Sequence, residues 1–188
     1  MAPSLQVIIC STRPGRVGPA VARWFDTVAR QHGAFSVALV DVADFALPIY
    51  DEPKHPRLQQ YAHEHTRRWA ASVAAADAYV FVTPEYNYNP PPSIVNALNY
   101  VYKEWNYKVA GIVSYGGVSG GLRSAEALKG LLTTLKMVVP PEGVPIPNVA
   151  KLVESGEFQT NDLVEASAKT MLDEMAKWNA GLAAVRGA

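Results

Sequence analysis

A chain of 188 residues, 49% hydrophobic and 18% charged, has room for a well-filled core and is too apolar for a disordered segment. Seventeen basic and seventeen acidic residues cancel, so no overall field draws the chain to nucleic acid or an anionic membrane, and any anion site has to be local. A single cysteine, Cys10, leaves no internal disulfide and fits a reducing, cytoplasmic setting, and no apolar run approaches the ~20 residues that span a bilayer.

Residues 5–10 form an apolar run broken only by Gln6, which predicts a strand covered on both faces and makes Cys10 a small buried hydrophobe. Because strand residues begin at Leu5, no signal peptide is expected. Residues 17–32 carry Val17, Val21, Trp24, Phe25 and Val28 at helical spacing, with Gly33 as the stop. Residues 35–42 read as a second strand, 57–76 as a long helix, 78–83 as a third strand and 93–102 as a helix. A fourth strand follows at 108–114, then a helix at 120–136 with a leucine stripe. A short fifth strand falls within 138–146, where prolines prevent regular pairing deep in a sheet, and a last helix runs over 163–185. With no internal repeat or linker, residues 1–188 read as one domain.

Strict alternation of strands and helices implies an α/β fold, a five-stranded parallel sheet with helices on both faces. In such sheets ligands bind beyond the carboxyl ends of the strands, where the strand order reverses. In the flavodoxin-like order 2-1-3-4-5 that point lies between the first and third strands, so the loops at 11–17 and 83–92 converge on it.

The first loop, Ser11-Thr12-Arg13-Pro14-Gly15-Arg16-Val17-Gly18, brings two hydroxyls, two guanidinium groups and free amides to a helix N-terminus, which is what a phosphate needs. It matches neither the P-loop nor the G-x-G-x-x-G pattern, so Asp41 at the end of the second strand is only a weak ribose-binding acid. The second loop, Thr83-Pro84-Glu85-Tyr86-Asn87-Tyr88-Asn89 with Pro90, Pro91 and Pro92, is long and stiffened at its exit, as suits a flat polar ligand. The third, Ser114 to Arg123, holds four glycines that allow close backbone approach. It also contains the G-x-S-x-G pattern around Ser119, but all four histidines precede that serine, which disfavours a hydrolase. His63-Glu64-His65 reads as a solvated helix face and not as a metal pair. Trp69, Trp105 and Trp178 read as packing or interface residues.

With Ser11-Thr12-Arg13 and Arg16, Pro84-Glu85-Tyr86-Asn87, and Gly116-Gly117 with Ser119-Gly120-Gly121 in order at matching strand ends, the chain resembles the NAD(P)H-dependent FMN reductase family of flavodoxin-like proteins. The resemblance implies non-covalently bound FMN and NAD(P)H as co-substrate. By that likeness Ser11, Arg13, Arg16, Val17 and Gly18 hold the phosphate. Pro84, Glu85, Tyr86 and Asn87 line one side of the ring, and Ser114, Gly116 and Gly117 approach its pyrimidine end. It implies an oxidoreductase transferring hydride from NAD(P)H by way of FMN to a small acceptor such as a flavin, quinone, azo compound or metal oxyanion. The flavin carries the chemistry, so no catalytic side chain and no metal are assigned. An FMN-binding electron carrier or a sensor remains an alternative. A homodimer or homotetramer is expected, with Tyr100, Tyr102, Trp105 and Tyr107 as an aromatic interface cluster.

Overall fold

The computed structural model describes residues 2–187. Strands β1 (Ser4–Ile9), β3 (Ala78–Pro84) and β4 (Val109–Tyr115) are buried almost throughout, which is why they appear in the sequence as continuous apolar runs. With β2 (Ser36–Asp41) and β5 (Val144–Ile146) they form a sheet in the order β2-β1-β3-β4-β5, every pairing parallel. This is the flavodoxin-like arrangement, with its reversal between β1 and β3. The prolines at 140, 141 and 145 shorten β5 to three residues at the sheet edge; Val138 contributes only an isolated bridge to Val109.

Side chains alternate across the sheet and feed two apolar layers. Leu5, Val7 and Ile9 of β1 pack with Val21 and Phe25 of α1 (Gly18–His32) and with Met171 and Met175 of α5 (Asp162–Arg186). Ile8 and Cys10 face the opposite layer. There they meet Trp69 of α2 (Glu64–Ala74), Ile94 of α3 (Pro92–Tyr100) and Leu128 of α4 (Leu122–Thr134). Gly33, in the left-handed region at φ 78°, ends α1 as its position suggests.

Three expectations need correction. Helix α2 begins at Glu64 and not near residue 57; the Glu52 carboxylate accepts from the amides of Ala62 and His63 and pins the extended chain just ahead of the first turn. Residues 56–58 make only a short 3-10 turn, closed by Gln59 at φ 52°. Helix α4 starts at Leu122, since Gly120 and Gly121 take positive φ. Finally, Tyr100 and Trp105 are fully buried within the chain itself. The Trp105 ring meets Tyr79 edge-on at 4.8 Å and Trp69 at 5.8 Å, and the Tyr100 hydroxyl donates to Pro48 and Asp51. They are core residues, so only Tyr102 and Tyr107 of that aromatic cluster keep exposed surface. A two-residue-strand hairpin, β6 (Val153–Glu154) and β7 (Glu157–Phe158), adds a feature not foreseen in the sequence.

Candidate functional site

Beyond the carboxyl end of β1 the chain turns through residues 10–17 into α1. The Arg16 amide donates to the Arg13 carbonyl and closes the turn, with Gly15 at φ 70°. The two arginines then diverge. Arg16 donates to the Ser11 carbonyl and to the Asp41 carboxylate at the end of β2. The Arg13 guanidinium is exposed and has no acceptor among the described residues. Neither do the amides of Ser11, Thr12, Val17 and Gly18. Val17 sits at the N-cap with no side chain able to accept, and the first turn of α1 holds no acid. The positive end of the helix is therefore uncompensated, next to a free guanidinium.

The second loop leaves β3 at Pro84. Reciprocal hydrogen bonds between Tyr86 and Asn89, at 2.9 and 3.0 Å, close a two-residue turn with Asn87 at φ 50° and Tyr88 at φ 70°. Such turns favour Asn-Gly, and a tyrosine in the left-handed region costs about 1–2 kcal/mol. Pro91 then occupies the N-cap of α3 and Pro92 its first position, where a missing N–H costs nothing. Two contacts fasten this loop to the first. The Tyr86 and Ser11 hydroxyls lie 2.7 Å apart, and Ser93 Oγ donates to the Cys10 carbonyl at 2.6 Å.

The third loop follows β4. A Cβ on Gly121, at φ 79°, would stand 2.7 Å from the Tyr115 nitrogen and 2.8 Å from its oxygen, so only glycine fits. Ser114 Oγ donates to the Gly120 carbonyl and is spent there. Ser119, the serine of the G-x-S-x-G pattern, donates to Glu85 at 3.0 Å. The Arg123 guanidinium paired with Glu85 holds that carboxyl below its ordinary range. The Tyr115 hydroxyl is buried without a partner among the described residues, and burial pushes its pKa up. It abuts Gly18, where a Cβ would lie 2.6 Å from it.

Two adjoining cavities result. One of about 220 Å³ is lined by Arg13, Arg16, Val17, Pro84, Glu85, Tyr86 and Gly116, with Tyr115, Val149 and Ala150 completing its wall. The other, about 530 Å³, shares Arg13, Glu85 and Tyr86 and adds Asn87. Of the remaining residues singled out in the sequence, Ser11 and Gly18 lie directly behind these walls. Ser114 and Gly117 line neither cavity. Tyr115, Val149 and Ala150 escaped the sequence reading. Tyr115 looks like one more strand residue, and the other two arrive through a segment without periodicity. A further cavity, about 970 Å³, lies across Pro90 and Pro92 from the arginines, between Thr12, Leu47, Ile49 and Val95. No charged side chain lines it.

His63 and His65 do meet, contrary to the helical-spacing argument, because His63 precedes α2 in extended conformation; their rings stack 5.2 Å apart beside Asp51.

Residues 3–151 match the NADPH-dependent FMN reductase family. An NAD(P)H-dependent FMN reductase of Schizosaccharomyces pombe is 41% identical over 141 residues, covering 74% of this chain and 70% of the relative. A quinone reductase of Pseudomonas putida is 29% identical over 93% of this chain and 94% of its own length. Among solved structures, the flavoenzyme NAD(P)H:(acceptor) oxidoreductase FerB of Paracoccus denitrificans has the same fold, with a TM-score of 0.77 at 22% identity over 96% of this chain and 98% of that one. The chain belongs to the NADPH-dependent FMN reductase family.

Proposed function

We propose that this chain is an FMN-dependent NAD(P)H oxidoreductase that reduces a small acceptor such as a flavin, quinone, azo compound or metal oxyanion. The observation that carries the reading is a set of unanswered donors around the first loop and the start of α1: the amides of residues 11, 12, 17 and 18, the Arg13 guanidinium and the buried Tyr115 hydroxyl, with Arg13, Val17 and Tyr115 lining the smaller cavity. A buried hydroxyl without a partner is costly, and a bound phosphate would answer it together with the amides. The residues present fit FMN.

When bound, FMN supplies the redox chemistry. Arg13 and the free amides of the first loop and the start of α1 would hold the phosphate by charge-assisted hydrogen bonds. The prolines at 90–92 and the Ser93–Cys10 bond keep the ring loop in place, and Gly116 admits a flat group against the backbone. Burial holds the Tyr115 proton in place at neutral pH, and Arg123 keeps Glu85 ionised. Neither exchanges a proton there, which supports a role in binding and orientation.

The reading extends to a cytoplasmic, single-domain protein that works as a homodimer or homotetramer. Among the described residues no helix is long and apolar enough to cross a membrane, and the only cysteine is buried and free. The exposed Ile49 on the large uncharged cavity and the exposed Tyr88 in the ring loop support coverage by a second copy near that loop. The deciding experiment is the absorption spectrum of the purified protein followed by anaerobic mixing with NADPH and NADH. Rapid bleaching of a flavin band is the expected result. Failure to take up added FMN would refute the proposal.

A further inference from the structure

Glu85 is fastened both to the end of β4 and to the segment that follows it. Its amide donates to the Tyr115 carbonyl at 3.1 Å. Its carboxylate accepts from Arg123 Nε at 2.8 Å, from Arg123 Nη2, from Ser119 Oγ at 3.0 Å and from the Arg123 amide at 3.2 Å. The carboxylate side chain is 7% exposed and the arginine 48%. The same guanidinium lies over the Tyr88 ring, 3.7 Å from its centroid. One side chain thus grips the residue that enters the Tyr86–Asn89 turn and the tyrosine strained at positive φ within it. A lysine could supply the charge but not the fork and the stacking plane together.

We propose that Arg123 is a positioning residue for the flavin: it holds the Tyr86–Asn89 turn in its ligand-ready conformation through Glu85 and Tyr88, and it neutralises the Glu85 carboxylate beside the ring end of the site. This rests on the FMN-binding reading above. Its two parts separate by substitution. Without Arg123, Glu85 is left as an unpaired anion next to the cofactor, which disfavours the more negative, reduced flavin. Without either group the charge imbalance disappears, but the turn stays unfastened.

The test measures FMN affinity of the apoprotein and the midpoint potential of the bound flavin in wild type, R123Q, R123K and the double variant R123Q/E85Q. R123Q is expected to bind FMN about tenfold more weakly. It should also lose a further tenfold in preference for the reduced form, a shift of about 30 mV to more negative potential for a two-electron couple. R123Q/E85Q should return to the wild-type potential while binding stays weak. R123K should keep the potential and lose affinity. A purely structural lesion would shift R123Q and the double variant alike. Wild-type affinity and potential in R123Q overturn the proposal, as does a double variant that keeps the R123Q potential. Wild-type apoprotein that takes up no FMN overturns the functional reading itself, and this proposal with it.

Discussion

Arg16 and Asp41 form an ion pair 2.5 Å across, each side chain 18% exposed, which closes the first loop onto the end of β2. Arg16 also donates to the Ser11 carbonyl, so it braces the loop, while Arg13 three residues earlier keeps its guanidinium free at the cavity wall. Two arginines that look equivalent in the sequence therefore have different jobs.

Separate substitutions should divide those jobs. Arg13→Gln is expected to weaken FMN binding about 10- to 150-fold, the worth of a hydrogen bond to a charged group at ~1.5–3 kcal/mol, with little change in the urea midpoint of the apoprotein. Arg16→Gln leaves Asp41 partly buried without its cation and should destabilise the apoprotein by about 1–3 kcal/mol, between the values for exposed and buried pairs. Fluorescence titration with FMN and urea unfolding read the two effects. If Arg16→Gln leaves stability untouched and Arg13→Gln leaves affinity untouched, the division of roles is wrong.

The contact between Gly18 and Tyr115 gives a second, sharper prediction. In the apoprotein the Tyr115 hydroxyl is a buried group without a partner, so Tyr115→Phe should raise apoprotein stability by about 1–3 kcal/mol. Yet it should weaken FMN binding by about tenfold if, as proposed, that hydroxyl answers the phosphate. Gly18→Ala tests the packing side. Helix propensity favours alanine, but its Cβ would lie 2.6 Å from the hydroxyl, and overpacking of this kind costs about 1–3 kcal/mol. Without the oxygen, the nearest ring atom is at 3.6 Å, an ordinary contact. Gly18→Ala should therefore be harmful in wild type and harmless in Tyr115→Phe, a non-additivity that a double-mutant cycle of unfolding free energies measures directly.

The sequence makes the centre of the sheet plain because β1, β3 and β4 are covered on both faces and are therefore mostly apolar, with Gln6, Thr83 and Ser114 as buried polar exceptions. It makes the loops plain because two arginines in one turn and three prolines in a row have no packing purpose. What it hides depends on distance along the chain. The partner of Arg16 is 25 residues away and looked like a weak ribose ligand. The chain just ahead of α2 is pinned by Glu52, ten residues and more upstream, so the local pattern extends the helix too far. Tyr100 and Trp105 are aromatic in a way that suits a core or an interface equally, and only tertiary packing chooses the core. Strands of two residues, as in β6 and β7, are too short for any periodicity to register.

Lys108 provides a prediction away from the site. It immediately precedes β4, at the opposite end of the sheet, 8% exposed, with Nζ donating to the Tyr79 hydroxyl at 2.9 Å and the Val73 carbonyl at 3.2 Å. Burial pushes its pKa down to about 8; Asp77 and Glu104 push it up and Arg186 pushes it down. An unfolded lysine titrates near ~10.4. Between about pH 8 and that value the unfolded chain holds a proton that the folded chain has lost, so stability from this group rises with pH across the window. Below pH 8 the folded protein carries the full penalty, at most about 3 kcal/mol. Lys108→Met should accordingly stabilise the protein by about 1–3 kcal/mol at pH 7, less whatever its two hydrogen bonds contributed. That advantage should shrink steadily from pH 8 to pH 10 as wild-type Lys108 becomes neutral. Urea unfolding of both proteins at pH 7, 8, 9 and 10 reads the difference, and a difference that stays constant across the series contradicts a depressed pKa at this position.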